Sequence, residues 1–472
     1  MDLAAKEQKQ LKKREFLLNG NMWKVVISIA LPMMFYNLCN YLYGIYDMML
    51  VQSANIGDAA DIVVLDQIKN MISTLEASLA TGGGIMVARR YGAKKMEDAR
   101  RCANTLFTIA LLVSAITFVF IPMGKPFLEL FKTDPTIIND SIGYYNVQIL
   151  SLMITTMNSA MIAMEKAKGN TSTLLGLNIC VIIIKIGLTT FFVFGPFENV
   201  TSTWLAAATL IAQSFMFFSG LYLSFRKGNL LRIRIKDLNL NREDAGSIIK
   251  LSIPVFIGKF LFSFGKVYVN SVATENYGKM CVGGLGISNT IAGLFSNISS
   301  SLADTGSTIV SQNYGNSNGK RVKQAFWVTT IYCTILCAVG TIVLFVLREP
   351  ISAFFAPGDL VYQEVIVTIF AWECLDIVFL GLGHTACAFL NGMGKTKITM
   401  AFSILRLFVY RIPVLLFLMY VVKMDYEACG IAMFVSNVLS GGIELIVACI
   451  FNHRLKKKYP ELFPGQTQKE AA

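Results

Sequence analysis

Twelve long apolar segments constrain the fold of this chain more than any other feature of its sequence. A helix needs about 20 mostly apolar residues to cross the hydrocarbon core of a bilayer, and each of these segments is at least that long. Only 15% of the residues are charged, whereas a soluble domain has about 25%. The sequence therefore predicts an all-α, polytopic membrane protein with twelve transmembrane helices. The predicted spans are residues 23–51, 62–87, 103–123, 139–164, 173–197, 201–225, 249–273, 281–310, 325–347, 361–390, 398–422 and 427–451.

The positions of Lys and Arg predict the topology. If both termini are cytosolic, the cytosolic segments carry 30 Lys and Arg residues and the opposite loops carry 5, as the positive-inside rule requires. The first 20 residues contain basic side chains but no apolar core, which is typical of a cytosolic tail and not of a cleaved signal peptide. We expect a multi-pass protein of the plasma (inner) membrane with both termini in the cytosol.

Short motifs recur in the same order in the two halves of the sequence. Pro32 in the motif IALP corresponds to Pro254 in LSIP, and Gly169 in GNT corresponds to Gly394 in GKT at nearly the same offset. A near-constant offset indicates an internal duplication, which predicts two pseudo-symmetric halves of six helices each. Transporters built from such repeats bind substrate between the halves and alternate its access. The expected parts are an N-terminal tail (1–22), an N-terminal lobe (23–225), a basic cytosolic linker (226–248), a C-terminal lobe (249–451) and a C-terminal tail (452–472).

Several other classes of protein are disfavoured by the sequence. It has no GxxxxGK[ST] motif, which argues against ATP hydrolysis at a P-loop, and no DxxxD or HxxxxD motif that would favour an integral membrane transferase. Ten Cys without a CxxC pair and only two His, His384 and His453, predict neither a metal site nor a cofactor. The net charge of +12 is largely explained by the cytosolic loops, so we expect the lipid bilayer, and not nucleic acid, as the partner.

Six further marks are distributed along residues 20–450. They are the segments GGGIMVARRYGA (82–93), KGNT (168–171), GSTIVSQNYGN (306–316) and GMGKTK (392–397), and the residues Pro32 and Asp47. On these marks the chain resembles the multidrug and toxic compound extrusion (MATE) family, within a larger superfamily that also exports lipid-linked saccharides. The resemblance implies a V-shaped fold with a central cleft and a secondary active transporter, not an enzyme. It further implies export of amphipathic organic small molecules in exchange for H⁺ or Na⁺, and we expect a monomer.

Asp47 in the first predicted helix is the leading candidate for ion coupling. It shares a helical face with Asn37 and Asn40, and an ionisable group within the bilayer persists only when it faces a cavity or a partner. The resemblance implies that an Asn and an Asp in the fifth helix face this carboxylate, but those positions hold Lys185 and Thr189 here. Three interpretations stay open: the Lys185 ammonium replaces a bound sodium ion, exchanges protons with Asp47, or forms a structural salt bridge.

The second predicted helix carries a polar stripe formed by Asp66, Lys69 and Glu76. Their spacing places them on one helical face over about 15 Å. Glu76 lies deepest in the apolar segment and is therefore a further candidate for ion coupling, with Asp66 and Lys69 as candidate cleft residues. The alternative is a hydrated face whose charges pair with one another.

The tenth predicted helix carries Glu373, Asp376 and His384. The two carboxylates are one turn apart, and like charges that close favour the sharing of a proton. His384 lies two turns further along the same side. We assign Asp376 to ion coupling and both Glu373 and His384 to the substrate cleft. The alternative for His384 is a packing residue satisfied by a hydrogen bond.

Basic and amide side chains in the C-terminal half lead to a second functional hypothesis. Lys266 and Asn270 share one face of the seventh predicted helix, and Arg406 and Arg411 lie in the eleventh. If Lys266, Asn270 and Arg406 face the cleft, they would attract anions. The function would then be the flipping or export of an anionic lipid-linked saccharide or another anionic metabolite. The alternatives are snorkelling of these long side chains to the membrane surface and pairing with nearby acids.

Overall fold

The chain is built almost wholly of helices. A computed structural model describes residues 3–53, 59–122, 135–195 and 202–464, and none of these residues lies in a β-strand. Long apolar stretches form helices in a bilayer because a helix satisfies its backbone hydrogen bonds internally. The predicted all-α fold class is therefore confirmed. The helices are α1 (Leu3–Asn19), α2 (Met22–Ser53), α3 (Ala59–Gly92), α4 (Met96–Phe118), α5 (Pro135–Ala167), α6 (Thr171–Phe194), α7 (Ser202–Phe225), α8 (Arg242–Gly315), α9 (Gly319–Val346), α10 (Arg348–Phe355), α11 (Leu360–Gly392), α12 (Thr396–Val422), α13 (Glu427–His453) and α14 (Leu455–Lys458).

Helical structure is present at each of the twelve predicted spans. Among the described residues, ten helical segments are long and apolar enough to cross a membrane. The two predicted spans outside this set are the second of each half, namely α3 and residues 279–315 of α8. A relatively polar second helix is therefore common to both halves. The seventh and eighth spans are joined within α8, which bends at Gly278 (φ 78°, ψ 179°), a conformation that the absence of a Cβ permits.

The chain forms two compact units whose boundaries fall inside helices. Unit 1 comprises Met1–Asn19 and Phe35–Phe256, and unit 2 comprises Gly20–Met34 and Ile257–Ala472. Helices α2 and α8, the first of each half, therefore contribute to both units. Both changes of unit come shortly after the proline of the recurring motif, at matching positions in the two halves.

The N-terminal segment is a helix, where the sequence predicted only a basic tail. Leu17 and Leu18 near the end of α1 are each only 1% exposed. Gln10 accepts a hydrogen bond from the backbone N–H of Leu230 (3.1 Å) and donates one to the carbonyl of Gly228 (3.0 Å). Helix α1 is thus packed against the rest of unit 1, where it forms one wall of a basic cavity.

Helices α11 and α13 of unit 2 approach each other closely at Gly441. A methyl group at this position would collide with the backbone carbonyl of Phe379 in α11. A methyl group at the adjacent Gly442 would meet no neighbouring atom. Backbone atoms cannot move aside as the end of a side chain can, so the absence of a side chain at Gly441 allows the two helices to pack.

We expect Gly441→Ala to lower the free energy of unfolding by about 1–3 kcal/mol, the usual effect of overpacking. Gly442→Ala is the matched control, and we expect it to be neutral or stabilising by up to about 1 kcal/mol, because Ala favours helix over Gly. Thermal unfolding of the purified protein in detergent measures both effects. Equal shifts for the two variants would contradict the close approach at Gly441.

Candidate coupling and substrate sites

Asp47 of α2 and Lys185 of α6 lie together in unit 1. The Lys185 Nζ is 3.9 Å from an Asp47 carboxylate oxygen, and the two side chains are 17% and 31% exposed. Tyr43, one turn before Asp47, connects them. Its hydroxyl donates to the other Asp47 oxygen (2.9 Å), and its ring centroid is 4.1 Å from the Lys185 Nζ. We call Asp47, Tyr43 and Lys185 the Asp47 triad.

Further polar contacts hold α2 against α6 around this triad. Thr189 donates to the backbone carbonyl of Lys185 (2.7 Å), and its hydroxyl is 3.4 Å from that of Tyr43. The Tyr46 and Thr190 hydroxyls are 3.2 Å apart. Hydroxyl contacts therefore link α2 to α6 at two neighbouring positions along the helices.

The other predicted site residues of unit 1 occupy separate positions. Asn37 and Asn40 of α2 are half-buried, and the Tyr36 phenol lies beside Asn40 and close to the Glu76 carboxylate. Lys69 is half-buried in α3. Asp66 belongs to the same helix, but its side chain lies outside the described residues.

Glu76 is held by hydrogen bonds from α5. Its carboxylate accepts hydrogen bonds from Thr155 (2.9 Å) and Ser159 (2.9 Å). Unit 2 contains a contact at equivalent positions, since Ser299 lies 3.0 Å from the Nδ1 atom of His384. The offset in sequence from Glu76 to Ser299, and that from Ser159 to His384, is nearly the offset between the recurring motifs of the two halves. His384 thus occupies in unit 2 the place that Ser159 occupies in unit 1.

Arg411 and Asp376 form the centre of a buried charged network in unit 2. Arg411 donates to Ser436 (3.0 Å) and to the side-chain oxygen of Asn437 (2.9 Å). Asn437 in turn donates to Asp376 (2.7 Å). Arg411 is 2% exposed and Asp376 is 3% exposed. The amide of Asn437 therefore connects a buried cation to a buried anion, as such charges require in a medium of low dielectric constant.

Glu373 lies one turn from Asp376 and is equally buried, with 2% exposure. Among the described residues, neither of its carboxylate oxygens has a hydrogen-bond partner. The charged groups that act on it are Asp376, Arg411 and Lys266. Glu373 is therefore a buried carboxyl group that has cations and a second acid nearby but no direct hydrogen bond among the described residues.

A local irregularity of α12 positions Arg411. Residues Leu405–Arg411 form a π-helical stretch, in which the N–H of Ile412 bonds to the carbonyl of Leu407, five residues earlier. Pro413 follows at once and has no N–H to donate. Such widened turns are frequent at functional sites.

Arg406, also in this stretch, faces a second group of polar side chains. Its guanidinium lies 4.7 Å from the ring centroid of Phe262 and close to the Glu444 carboxylate. Glu444 accepts a hydrogen bond from Ser440 and lies 3.5 Å from the Cys387 sulfur. The interior of unit 2 thus contains several ionisable groups of each sign.

Two of the predicted cleft residues share a small cavity with Arg411. Its volume is about 20 Å³, which suffices for about one water molecule. Lys266 and Asn270 of α8 line it together with Arg411 and Asn289. The polar face of this cavity is therefore cationic and amide-bearing.

Tyr43 and Asn437 were missed by the sequence analysis, although both contact charged groups. Two features of the sequence could have identified them. Tyr43 is four residues before Asp47, which places it on the same helical face, and Asn437 is an isolated amide in an apolar helix. In the part of the chain that the structure describes, no group of three His, Cys, Asp or Glu residues could hold a metal ion.

Comparison with known proteins identifies a family unit that occurs twice in the chain. The MatE family model matches residues 32–191 and 254–417. The two matches begin at Pro32 and Pro254, the prolines of the recurring motif. They cover well over half of the chain.

Curated relatives of this chain cover most of its length. It is 21% identical over 383 residues to the multidrug export protein MepA of Staphylococcus haemolyticus, covering 80% of this chain and 83% of the relative. It is 21% identical over 417 residues to the probable multidrug resistance protein YoeA of Bacillus subtilis, covering 86% and 89%.

Solved structures show the same fold. An outward-facing multidrug resistance MATE family transporter has a TM-score of 0.88 at 18% identity, covering 93% of this chain and 98% of that one. A transporter of the same superfamily from Pyrococcus furiosus, described as having a binding pocket of reversed polarity, has a TM-score of 0.88 at 17% identity, also with 93% and 98% coverage.

Proposed function

This chain belongs to the MatE family, and from that membership we propose that it exports amphipathic organic compounds across the membrane in exchange for protons. It is a membrane transporter and not an enzyme. Its curated relatives are described as multidrug export and multidrug resistance proteins, which supports organic small molecules as substrates. We further propose that the protein is a monomer in the plasma membrane. Both termini would lie in the cytosol, which is the orientation that the distribution of Lys and Arg favours.

The Asp47 triad is the observation that supports ion coupling. A carboxylate within the membrane domain is costly unless it has a partner, and Asp47 has both an ammonium group and a phenol hydroxyl. Lys185 already supplies the positive charge that a sodium ion would bring, and the hydroxyls of Tyr43 and Thr189 donate within the site. We therefore propose that the coupling ion is a proton and that Asp47 accepts it.

Protonation of Asp47 would change the energy of the contact between α2 and α6. A neutral carboxyl no longer attracts the Lys185 ammonium, so the charged contact between the two helices is lost. A ligand shifts a conformational equilibrium only by its differential affinity for the two states. We propose that the proton favours the conformation in which the Asp47 triad is open, and that this change is coupled to alternating access.

The cationic cavity of unit 2 supports a second candidate, the export of anionic organic compounds. Lys266 and Arg411 line that cavity with two amide side chains. Glu373 and Asp376 already act on these two cations, and a further anionic group beside the cavity would be favoured over a cationic one. An anionic lipid-linked saccharide or anionic metabolite is therefore the alternative substrate class.

A gradient-swap assay tests both candidates. Liposomes that contain the purified protein are loaded with a cationic dye such as ethidium or with an anionic dye. A proton gradient or a sodium gradient is then imposed. We expect a proton gradient, and not a sodium gradient, to drive movement of the cationic dye above the rate of protein-free liposomes. Proton-driven movement of the anionic dye alone would favour the second candidate. If no combination exceeds the protein-free rate, the proposal is wrong.

A further inference from the structure

Unit 1 contains a basic cavity that shares no residue with the sites described above. Its volume is about 340 Å³, within the range of small-molecule sites. It lies where α1 packs against the turn between α5 and α6 and against the segment that follows α7. Five cationic side chains and one acidic side chain line it. These are Lys9, Lys13, Lys168, Arg226, Lys227 and Glu165.

The wall formed by α1 is fixed in place by several contacts. Besides the two hydrogen bonds of Gln10 to the 228–230 segment, Glu15 forms an ion pair with Lys94 at 3.2 Å. Leu17 packs against Gly169, whose φ of 74° favours glycine and where an added methyl group would force the Leu17 side chain to shift. The basic residues of α1 are therefore presented to the cavity by a docked helix.

The acidic residue of the cavity is already engaged. Glu165 is 5% exposed; one of its oxygens contacts the Lys168 ammonium, and the other accepts from Asn170 at 2.8 Å. Lys168 is itself buried and also donates to Asn229 at 2.9 Å. The lining consequently carries an excess of positive charge that no further acid among its members compensates.

This excess has a consequence at Lys13. Burial lowers the pKa of Lys13, and the ammonium groups of Lys9 and Lys168 lower it further, against the opposing effect of Glu165. The clustered cations therefore destabilise one another. An anion within the cavity would relieve that repulsion.

We propose that this cavity binds a phosphate-bearing anion, supplied either by the headgroup of an anionic phospholipid or by free phosphate. Lys and Arg are the usual ligands of phosphate, and several dispersed cations suit a group with more than one charge. The cavity is lined by residues of helix α1 and of the basic segment 226–248, both of which are predicted to be cytosolic. Basic segments on that side attract anionic lipids.

Binding to the full-length purified protein tests the proposal with two probes. The first probe is inorganic phosphate, titrated against the protein in neutral detergent by isothermal calorimetry. The second is phosphatidylglycerol, whose retention is counted by native mass spectrometry after extraction from vesicles that also contain phosphatidylcholine. Binding of phosphate identifies a soluble anion, and selective retention of phosphatidylglycerol without phosphate binding identifies a lipid headgroup. If neither probe binds, the proposal is wrong.

Variants assign any binding to this cavity. We expect Lys13→Gln combined with Arg226→Gln to weaken binding at least tenfold. Lys13→Arg, which retains the charge, should bind as the native protein does. Lys12→Gln is the matched control, because Lys12 is adjacent on α1 and does not line the cavity. Melting temperatures without probe verify that each variant folds. Unchanged binding in a folded double variant would overturn the proposal. If the double variant does not fold, a second one, Lys9→Gln with Lys227→Gln, is tested in its place, because both of its substitutions are at exposed positions.

Discussion

Replacing Asp47 with Asn should reduce proton-driven efflux to the rate of protein-free liposomes. The amide is nearly the same size as the carboxyl group and can still accept a hydrogen bond from Tyr43 through its oxygen. It cannot take up a proton or attract the Lys185 ammonium, which lies 3.9 Å away in the native protein. The loss would therefore be in coupling and not in the packing of α2. Efflux driven by an imposed pH gradient measures it.

The control for this variant is Asp237→Asn. Asp237 lies in the short 3₁₀ helix Ile235–Asp237 between α7 and α8, and its side chain is 51% exposed. Its ion pair with Arg234 spans 4.0 Å, and exposed pairs of this kind contribute little to stability. We expect native transport from this control. Native transport by Asp47→Asn would show that the coupling residue lies elsewhere, with Glu76 and Asp376 as the next candidates.

The substitution Lys185→Asn distinguishes the interpretations of the triad within the same assay. If the ammonium only replaces a bound sodium ion, this variant should gain sodium-dependent efflux, because Asn supplies an oxygen ligand where the cation stood. If Asp47 and Lys185 exchange protons, the variant should lose proton coupling without gaining a response to sodium. A purely structural salt bridge predicts that the melting temperature falls while transport by the folded protein is retained.

The helices and the duplication are properties that the sequence alone predicts. Apolar length identifies a span without any knowledge of its neighbours, and the near-constant offset between recurring motifs is visible in the printed sequence. The polar second helix is visible in the first half, through Asp66, Lys69 and Glu76, whereas its counterpart in the second half was not predicted to be polar. Helix α1 is different, because its docking depends on a few residues such as Leu17 and Leu18 that form no long apolar run.

Contacts between helices could be predicted only where the family resemblance supplied them. The pairing of Lys185 with Asp47 was expected on that ground. The position of Tyr43 over Lys185 depends on how α2 and α6 are rotated, which no periodicity in one helix reveals. The same holds for Arg411 and Asn437, which meet across α12 and α13. Arg411 also belongs to the π-helical stretch of α12, for which Pro413 was the sole sequence signal.

Arg411→Leu should lower the free energy of unfolding by about 3–5 kcal/mol, the usual result of removing one partner of a buried charged network. The leucine removes the hydrogen bonds to Ser436 and Asn437. It also leaves Asp376 and Glu373, which are 3% and 2% exposed, without the nearest guanidinium. Thermal unfolding in detergent measures the effect. Arg234→Leu, at a side chain 55% exposed, is the control and should unfold as the native protein does.

A second substitution separates the loss of charge compensation from the loss of packing. Glu373→Gln alone should be neutral or stabilising, because the native carboxylate has no hydrogen-bond partner among the described residues and its removal eliminates a buried charge. Combined with Arg411→Leu, it should recover part of the lost stability, since one uncompensated anion is removed. If the double variant is as unstable as Arg411→Leu alone, Arg411 stabilises unit 2 through its hydrogen bonds to Ser436 and Asn437. In that case the charge of Arg411 contributes little to compensating Glu373 and acts mainly on Asp376, to which Asn437 connects it.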